Sequence, residues 1–371
     1  MTGVTIVSTA AEKEQFIRFP YDHYKGNPYW VAPLVMEQKK LLDQDKNPFY
    51  NDAEIALFLA EKSGEPAGRV AAIIDHRYNR YHGATTGFFG FYESIDSQPV
   101  TDLLFRAASD WLKSRGMNRV IGPANPSMMD EVGILVDGFD SYPYIMMPYH
   151  KPYYDKLVTE AGFEKEMDLY AYEVTQSSVN QERMQRAVDI VTRRLPDLTI
   201  RPFNLKKIDD ELNIVRNIFN EAWKENWGFI PLSQEELEVM GKDLKMIVDV
   251  QVAHVAEING EPVAFSIALP DYNQVFRKMN GTLLPFGIFK LFWYRRKINR
   301  IRTALMGVLP EYRGRGIDAL LHQRAIDNGL KVGYQASELS WILESNTEMI
   351  RVAEKIGGSR TKTYRFYQKE L

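Results

Sequence analysis

The stretch VLPEYRGRGIDALL, Val308–Leu321, sets two Arg-Gly pairs between an apolar run and a helix-like one. Glycines between a strand and a helix let successive backbone N–H groups face one concavity, and the start of the helix adds partial positive charge. Such a turn suits a pyrophosphate: Gly314 and Gly316 admit close approach, while Arg313 and Arg315 supply charge. A solvated surface turn has the same composition, so the surrounding sequence must decide.

Working outward, the chain reads as two similar halves. LFLAEKSGEPAGRVAAII (Leu57–Ile74) and VAEINGEPVAFSIAL (Val255–Leu269) both read as hairpins around Gly-Glu-Pro, with Ala60-Glu61 and Ala256-Glu257 standing 196 residues apart. Further on, Gly162 matches Gly357 and Tyr172 matches Tyr367, both offset by 195. Two consistent offsets predict a duplicated domain. Between the halves, a polar stretch is followed by a helical pattern at Met184, Ala187, Val188 and Val191, and then by Pro196. The expected domains are 1–176 and 199–371, joined by a helical linker over 177–198. Each half orders its elements alike, which predicts an α/β fold (an α+β mixed sheet) with helices on both faces.

Composition narrows the chemistry. A chain of 371 residues, 45% hydrophobic, can bury two cores. The net charge of -3 gives no electrostatic footprint for nucleic acid. With no cysteine, disulfides, thiolate nucleophiles and cysteine zinc sites are excluded, and the six histidines show no i,i+4 ligand pair, so no metal is expected. Early charges in MTGVTIVSTAAEKEQF leave no room there for a leader's apolar region, and no run is long enough to span a bilayer. A cytoplasmic protein is expected.

In this context LMGVLPEYRGRGIDALLHQRA (Leu305–Ala325) resembles the signature of the GNAT superfamily of acyl-CoA-dependent N-acyltransferases, Arg/Gln-x-x-Gly-x-Gly/Ala between a central strand and a helix, with Arg313 and Gly316 on the pattern. The resemblance extends through LSWIL, Asn346 and AEKIGG, and covers most of Thr199–Leu371. It implies acetyl-CoA or a longer acyl-CoA as co-substrate. Backbone groups of Gly307, Val308 and Leu309 would align the pantetheine arm and polarise the thioester. The amides of Arg313, Gly314, Arg315, Gly316, Ile317 and Asp318 would hold the pyrophosphate, with Asn346 near the cofactor. Two positions depart from the pattern: Asp318 stands where glycine or alanine is usual, and Ala353 where many relatives carry the tyrosine that protonates the leaving thiolate. These departures leave a second reading open, a non-catalytic sensor of CoA with the same fold.

The corresponding loop of the first half, SIDSQPVTDLL (Ser94–Leu104), has no glycine, so the first half resembles the degenerate domain of tandem GNAT proteins, which helps to build an acceptor cleft. Whole-chain similarity is to a bacterial tandem-GNAT family associated with N-acylation of long-chain, sphingoid-type amines. The segment Gly122–Tyr154, dense in Met, Tyr and Pro, offers Asp130, Tyr144 and Tyr154 as acceptor-lining residues, although Asp130 and Glu131 equally suit a turn cap. Glu344 and Glu131 are the candidate bases. The apolar run Leu283–Tyr294, carrying Phe289 and Trp293, ends in Arg295, Arg296 and Lys297. That pattern fits an interfacial segment or a lid over a hydrophobic amine, and equally a buried helix with a solvated basic end. Peripheral contact with the inner face of the membrane is the extension it suggests.

Overall fold

The computed structural model describes residues 2–283 and 287–371. It divides into unit 1, comprising Met1–Leu169, Asn273–Trp293 and Lys362–Leu371, and unit 2, comprising Tyr170–Tyr272 and Tyr294–Thr361. The units therefore differ from the two halves of the sequence. A helical insertion and the last strand of the second half are built into unit 1, while residues 181–194 belong to unit 2. Among the described residues no helix is long and apolar enough to cross a membrane.

The first half runs β1 (Thr2–Ile6), α1 (Ala10–His23), α2 (Val35–Leu41), β2 (Ala53–Lys62), β3 (Glu65–Asp75), α3 (His76–His82) and β4 (Thr86–Ser94). Then come α4 (Gln98–Lys113), β5 (Arg119–Gly122), β6 (Ala124–Asn125), β7 (Glu131–Val132), β8 (Ile134–Asp137), α5 (Tyr154–Glu160) and β9 (Glu164–Thr175). The second half continues with α6 (Gln181–Arg194), β10 (Leu198–Pro202), α7 (Ile208–Ala222), α8 (Gln234–Ile247), β11 (Ala253–Ile258) and β12 (Glu261–Pro270). It closes with α9 (Asn273–Phe276), α10 (Gly287–Tyr294), β13 (Arg300–Val308), α11 (Ile317–Lys331), β14 (Ala336–Leu343), α12 (Thr347–Lys355) and β15 (Ser359–Glu370).

The duplication is visible in the pairing. Unit 1 orders its strands β1-β2-β3-β4-β5-β15, and unit 2 orders β10-β11-β12-β13-β14, each antiparallel up to a parallel step from β4 to β5 or from β13 to β14, after which β15 joins β5 antiparallel in unit 1. Both hairpins carry a bulge at the same place, between Ala60 and Glu61 and between Ala256 and Glu257. The turns are Ser63-Gly64 and Asn259-Gly260, all four residues at positive φ, the mirror-image geometry that matches strand twist. The Gly-Glu-Pro reading thus shifts by a residue: Glu65-Pro66 and Glu261-Pro262 already begin the return strands. A proline is tolerated there because it falls at a strand start.

In both units the parallel pair comes apart. Pairing of β4 with β5 ends at Phe88 and Ile121 although β4 runs on to Ser94. Pairing of β13 with β14 ends at Thr303 and Leu339, leaving Ala304–Val308 and Ser340–Leu343 splayed. A register shift in β13 against β12, between Thr303 and Leu305, puts the bend at the vertex of this second fork.

Candidate active site

Alternation along an antiparallel pair fixes which backbone groups the second fork can offer. The Leu309 N–H bonds the Val263 carbonyl at 3.0 Å, and Gly307 lies opposite Phe265, so both are turned toward β12. Val308 and Met306, one step out of phase, aim their N–H groups away from β12, beyond the point where β14 still pairs. Of the three positions drawn from the sequence, Val308 therefore presents its donor to the fork, and Met306 joins it. The Trp223 indole N–H bonds the Met306 carbonyl at 3.0 Å, fixing that edge of the strand. Gly307 faces α7, where a Cβ would stand 3.2 Å from Ile218, so glycine lets helix and strand close up.

Beyond the fork lies the Arg-Gly turn. Gly314 and Gly316 have φ of 71° and 85°, left-handed conformations that glycine adopts without strain. No protein acceptor engages the amides of Gly314, Arg315 or Gly316 among the described residues. The first-turn amides of α11, Ile317 and Asp318, add two donors without helical partners. Ile317 is buried against Ala256, Val263, Ala264 and Leu321, anchoring the helix start below the turn. Gly316 must be small for a second reason: a Cβ there would lie 2.6 Å from Val191 of α6.

The arginines are used differently from the expectation of free charge. Arg313 donates to the carbonyls of Ala222 and Val308, tying the end of α7 to the end of β13. Arg315 donates to the Glu311 carbonyl at 2.9 Å and lies over the Tyr312 ring. Asp318 stands one turn from buried His322, whose proton affinity burial lowers and Asp318 partly restores. Asn346 caps α12, its side chain accepting from the Met349 N–H at 3.1 Å, and Glu344 is half-buried just past β14. Ala353 is fully buried under Gly358 and offers no proton donor.

At the vertex of the fork the face opposite α11 is polar. Buried Arg302 donates to the Ser340 hydroxyl at 2.8 Å and to its carbonyl at 3.2 Å, and that hydroxyl donates to buried Glu338 at 2.7 Å. Sequence reasoning passed over this network, yet charges inside the strand runs RIRTALMG and ASELSWIL were a usable signal, since buried charges must be paired.

In unit 1 the equivalent fork is filled by the chain itself. Gly90 lies so close to Ala124 that a Cβ would sit 2.0 Å from its carbonyl, and Asn125 accepts the Phe91 N–H at 2.6 Å. The Ser94 N–H, register counterpart of Val308, bonds the Tyr154 hydroxyl at 3.2 Å. Tyr154 in turn donates to Glu93 at 2.6 Å, as Tyr24 does at 2.8 Å. Burial raises the Glu93 carboxyl, with Arg69 and the two tyrosines opposing it.

All ten cofactor positions read from the sequence lie in unit 2, together with Glu344; all five acceptor positions lie in unit 1, together with Glu131. Tyr154 is wholly buried and Tyr144 nearly so. The Asp130 carboxylate accepts from the Ser127 hydroxyl at 2.6 Å, capping its own turn, and Glu131 sits on β7. Phe289 and Trp293 on α10 are 71% and 69% exposed, so this is a surface helix and not a buried one.

Comparison with known proteins places this architecture. Residues 212–358 match the acetyltransferase (GNAT) family. The bacterial ceramide synthase of Caulobacter vibrioides is 37% identical, covering 100% of this chain and 97% of that protein. The chain belongs to the GNAT family. Protein YghO of Escherichia coli is also 37% identical, over 96% of this chain and 92% of its own length. Two GNAT structures share the fold at low identity. A tandem GNAT protein from the clavulanic acid biosynthesis pathway superposes with a TM-score of 0.59 at 10% identity, covering 100% of this chain and 98% of that one. A GCN5-related N-acetyltransferase from Sphaerobacter thermophilus gives 0.55 at 14%, covering 100% and 95%. The fold is thus a tandem of two GNAT-like domains on mixed sheets.

Proposed function

We propose that unit 2 binds an acyl-CoA and transfers its acyl group to the nitrogen of a long-chain amine. The observation that carries this reading is the Val308 N–H, held out of the ladder on a splayed strand that leads directly into a glycine turn with unengaged amides. The donor set fits the group: five backbone N–H groups from Gly314 to Asp318 suit a pyrophosphate without any metal ligand. When bound, an acyl-CoA supplies the activated carbonyl. The chain's own contribution is to line up the arm along β13, to polarise the carbonyl oxygen through the Val308 and Met306 N–H groups, and to receive a proton.

As the amine nitrogen bonds to the carbonyl carbon, the carbon–sulfur bond breaks, and the proton lost by nitrogen ends on sulfur. Glu344, beside the fork at the end of β14, is the base we favour over Glu131, which sits in the other unit. No covalent enzyme intermediate is required. The acceptor class is supported by the ceramide synthase relative, because a ceramide is an amide of a long-chain amino alcohol. It is also supported by the exposed aromatic face of α10. Incubation with myristoyl-CoA and either a long-chain amine or spermidine tests the reading, following thiol release and the amide product. Thiol release should require the long-chain amine. CoA binding without turnover on any amine would favour the sensor reading instead.

A further inference from the structure

A hydrocarbon chain leaving a thioester in the second fork has two ways past the vertex at Thr303 and Leu339, one over each face of the sheet. Successive residues of β13 point to opposite faces. Arg302 therefore faces away from Ile301 and Thr303, and with Ser340 and Glu338 it makes the first way polar. The second way is open. Under α11, a narrow crevice of about 40 Å³ begins at Thr303 and Leu339 and runs between that helix and the sheet, with Ala325, Ile326 and Leu330 on the helix side and Ile356 at its flank. From His322 to Leu330 the helix advances about 12 Å. The lining is mostly apolar. Polar side chains also line it: Thr175, Gln176, Thr303, Gln335, Ser337 and His322, the last 4% exposed with an Nε2 that has no partner in the protein. The crevice shares Thr303 and Leu339, the last paired residues of β13 and β14, with the vertex of the fork.

We propose that this crevice is the subsite for the acyl chain of the donor, and that the residues at 325 and 330 set how long a chain it takes. The inference rests on the acyl-CoA reading of the same fork. Each methylene that enters should tighten binding by up to about fourfold. Filling must move Ile326 or Leu330 aside, since the resting volume admits only a few methylenes.

Calorimetry on the full chain with CoA, S-octyl-CoA and S-tetradecyl-CoA tests this without turnover. Affinity should rise along the series. Ala325→Leu, which narrows the crevice midway, should cut the ratio of S-tetradecyl-CoA to CoA affinity by at least about tenfold, given several methylenes displaced. Leu330→Ala, which lengthens the crevice, should raise that ratio. An unchanged chain-length series in both variants would mean the chain lies elsewhere, and so would a flat series in the wild type. If CoA itself fails to bind, the acyl-CoA reading falls, and the crevice is then judged with dodecanol. Nuclear Overhauser contacts from dodecanol to the Ala325 methyl would retain the subsite for a different acyl carrier, and their absence would overturn it.

Discussion

Gly314 and Gly316 share a backbone conformation but not a neighbourhood, and this decides which of them tests the pyrophosphate cradle. A side chain at Gly316 would strike Val191 and disturb the packing of α6, whereas nothing lies within 4 Å of a Cβ at Gly314. Gly314→Glu should therefore fold, with about 1–2 kcal/mol of left-handed strain, and place a carboxylate where phosphate is expected. CoA affinity measured by calorimetry should fall at least tenfold, and unaltered affinity would remove the cradle from the turn. Val308→Pro makes the complementary cut. It deletes an N–H that no ladder bond uses, so strand pairing should survive while kcat/KM for thioester aminolysis falls by about 10² or more. An unreduced rate with unchanged circular dichroism would transfer the polarising role to Met306 or to another group.

At the scale of elements, the two forks differ in what fills them. In unit 1 the ladder's stray donors are satisfied by Asn125 and Tyr154, so the gap is closed from within. Asn125→Ala should leave the Phe91 N–H buried without an acceptor and cost about 1–3 kcal/mol, read from urea unfolding. It should not change the number of CoA molecules bound, and a second bound CoA would show the first fork to be a working site under a plug. Much of this arrangement was legible beforehand. The repeated Gly-Glu-Pro phrases and the glycine turn follow from local chemistry, because hairpin bends and helix starts are written within a few residues. Helix α8 was passed over despite the capping box that starts it at Ser233. The filling of the first fork was not legible, because Asn125, Glu93 and Tyr154 meet through long-range packing that no spacing encodes. Likewise the exposure of Phe289 and Trp293 could not be separated from burial, since an apolar helix reads the same in both settings.

For the molecule as a whole, burial of neutral histidines adds to acid sensitivity. His150 is held down to about 3 by burial alone, with its Nδ1 accepting the Leu135 N–H; His23 is also at about 3 and His254 at about 4, in each case chiefly through burial. These groups stay neutral in the fold while the unfolded chain takes up protons near 6.5. The stability they allow is intact above that pH and is lost as pH falls from about 6.5 toward 3 for His23 and His150, or toward 4 for His254, by up to about 1.4 kcal/mol per pH unit for each. His150→Gln should reduce the proton uptake of acid unfolding by about one, measured from the pH dependence of unfolding free energy. An unchanged slope would place the acid sensitivity elsewhere.

The residues that complete unit 1 follow those of unit 2 in the chain. Tyr367–Glu370 pair with β5, and Arg119 bonds Gln368, a residue 249 positions along the chain. Tyr364, Phe366 and Tyr367 are buried there, and Arg365 bonds Asp168 at 2.8 Å. A chain stopped after Thr361 should lose hydrogen-exchange protection over Arg119–Gly122 and Ile134–Asp137, and full protection would show the strand to be dispensable. Seen as a matter of timing on the ribosome, the first fold begun is the last that can close. Its β5 edge waits, unpaired and open to aggregation or chaperone capture, until the candidate catalytic unit has already been synthesised. A nascent chain that stalls before β15 therefore exposes its oldest sheet, so the state of that edge signals whether synthesis has passed the segment 362–371.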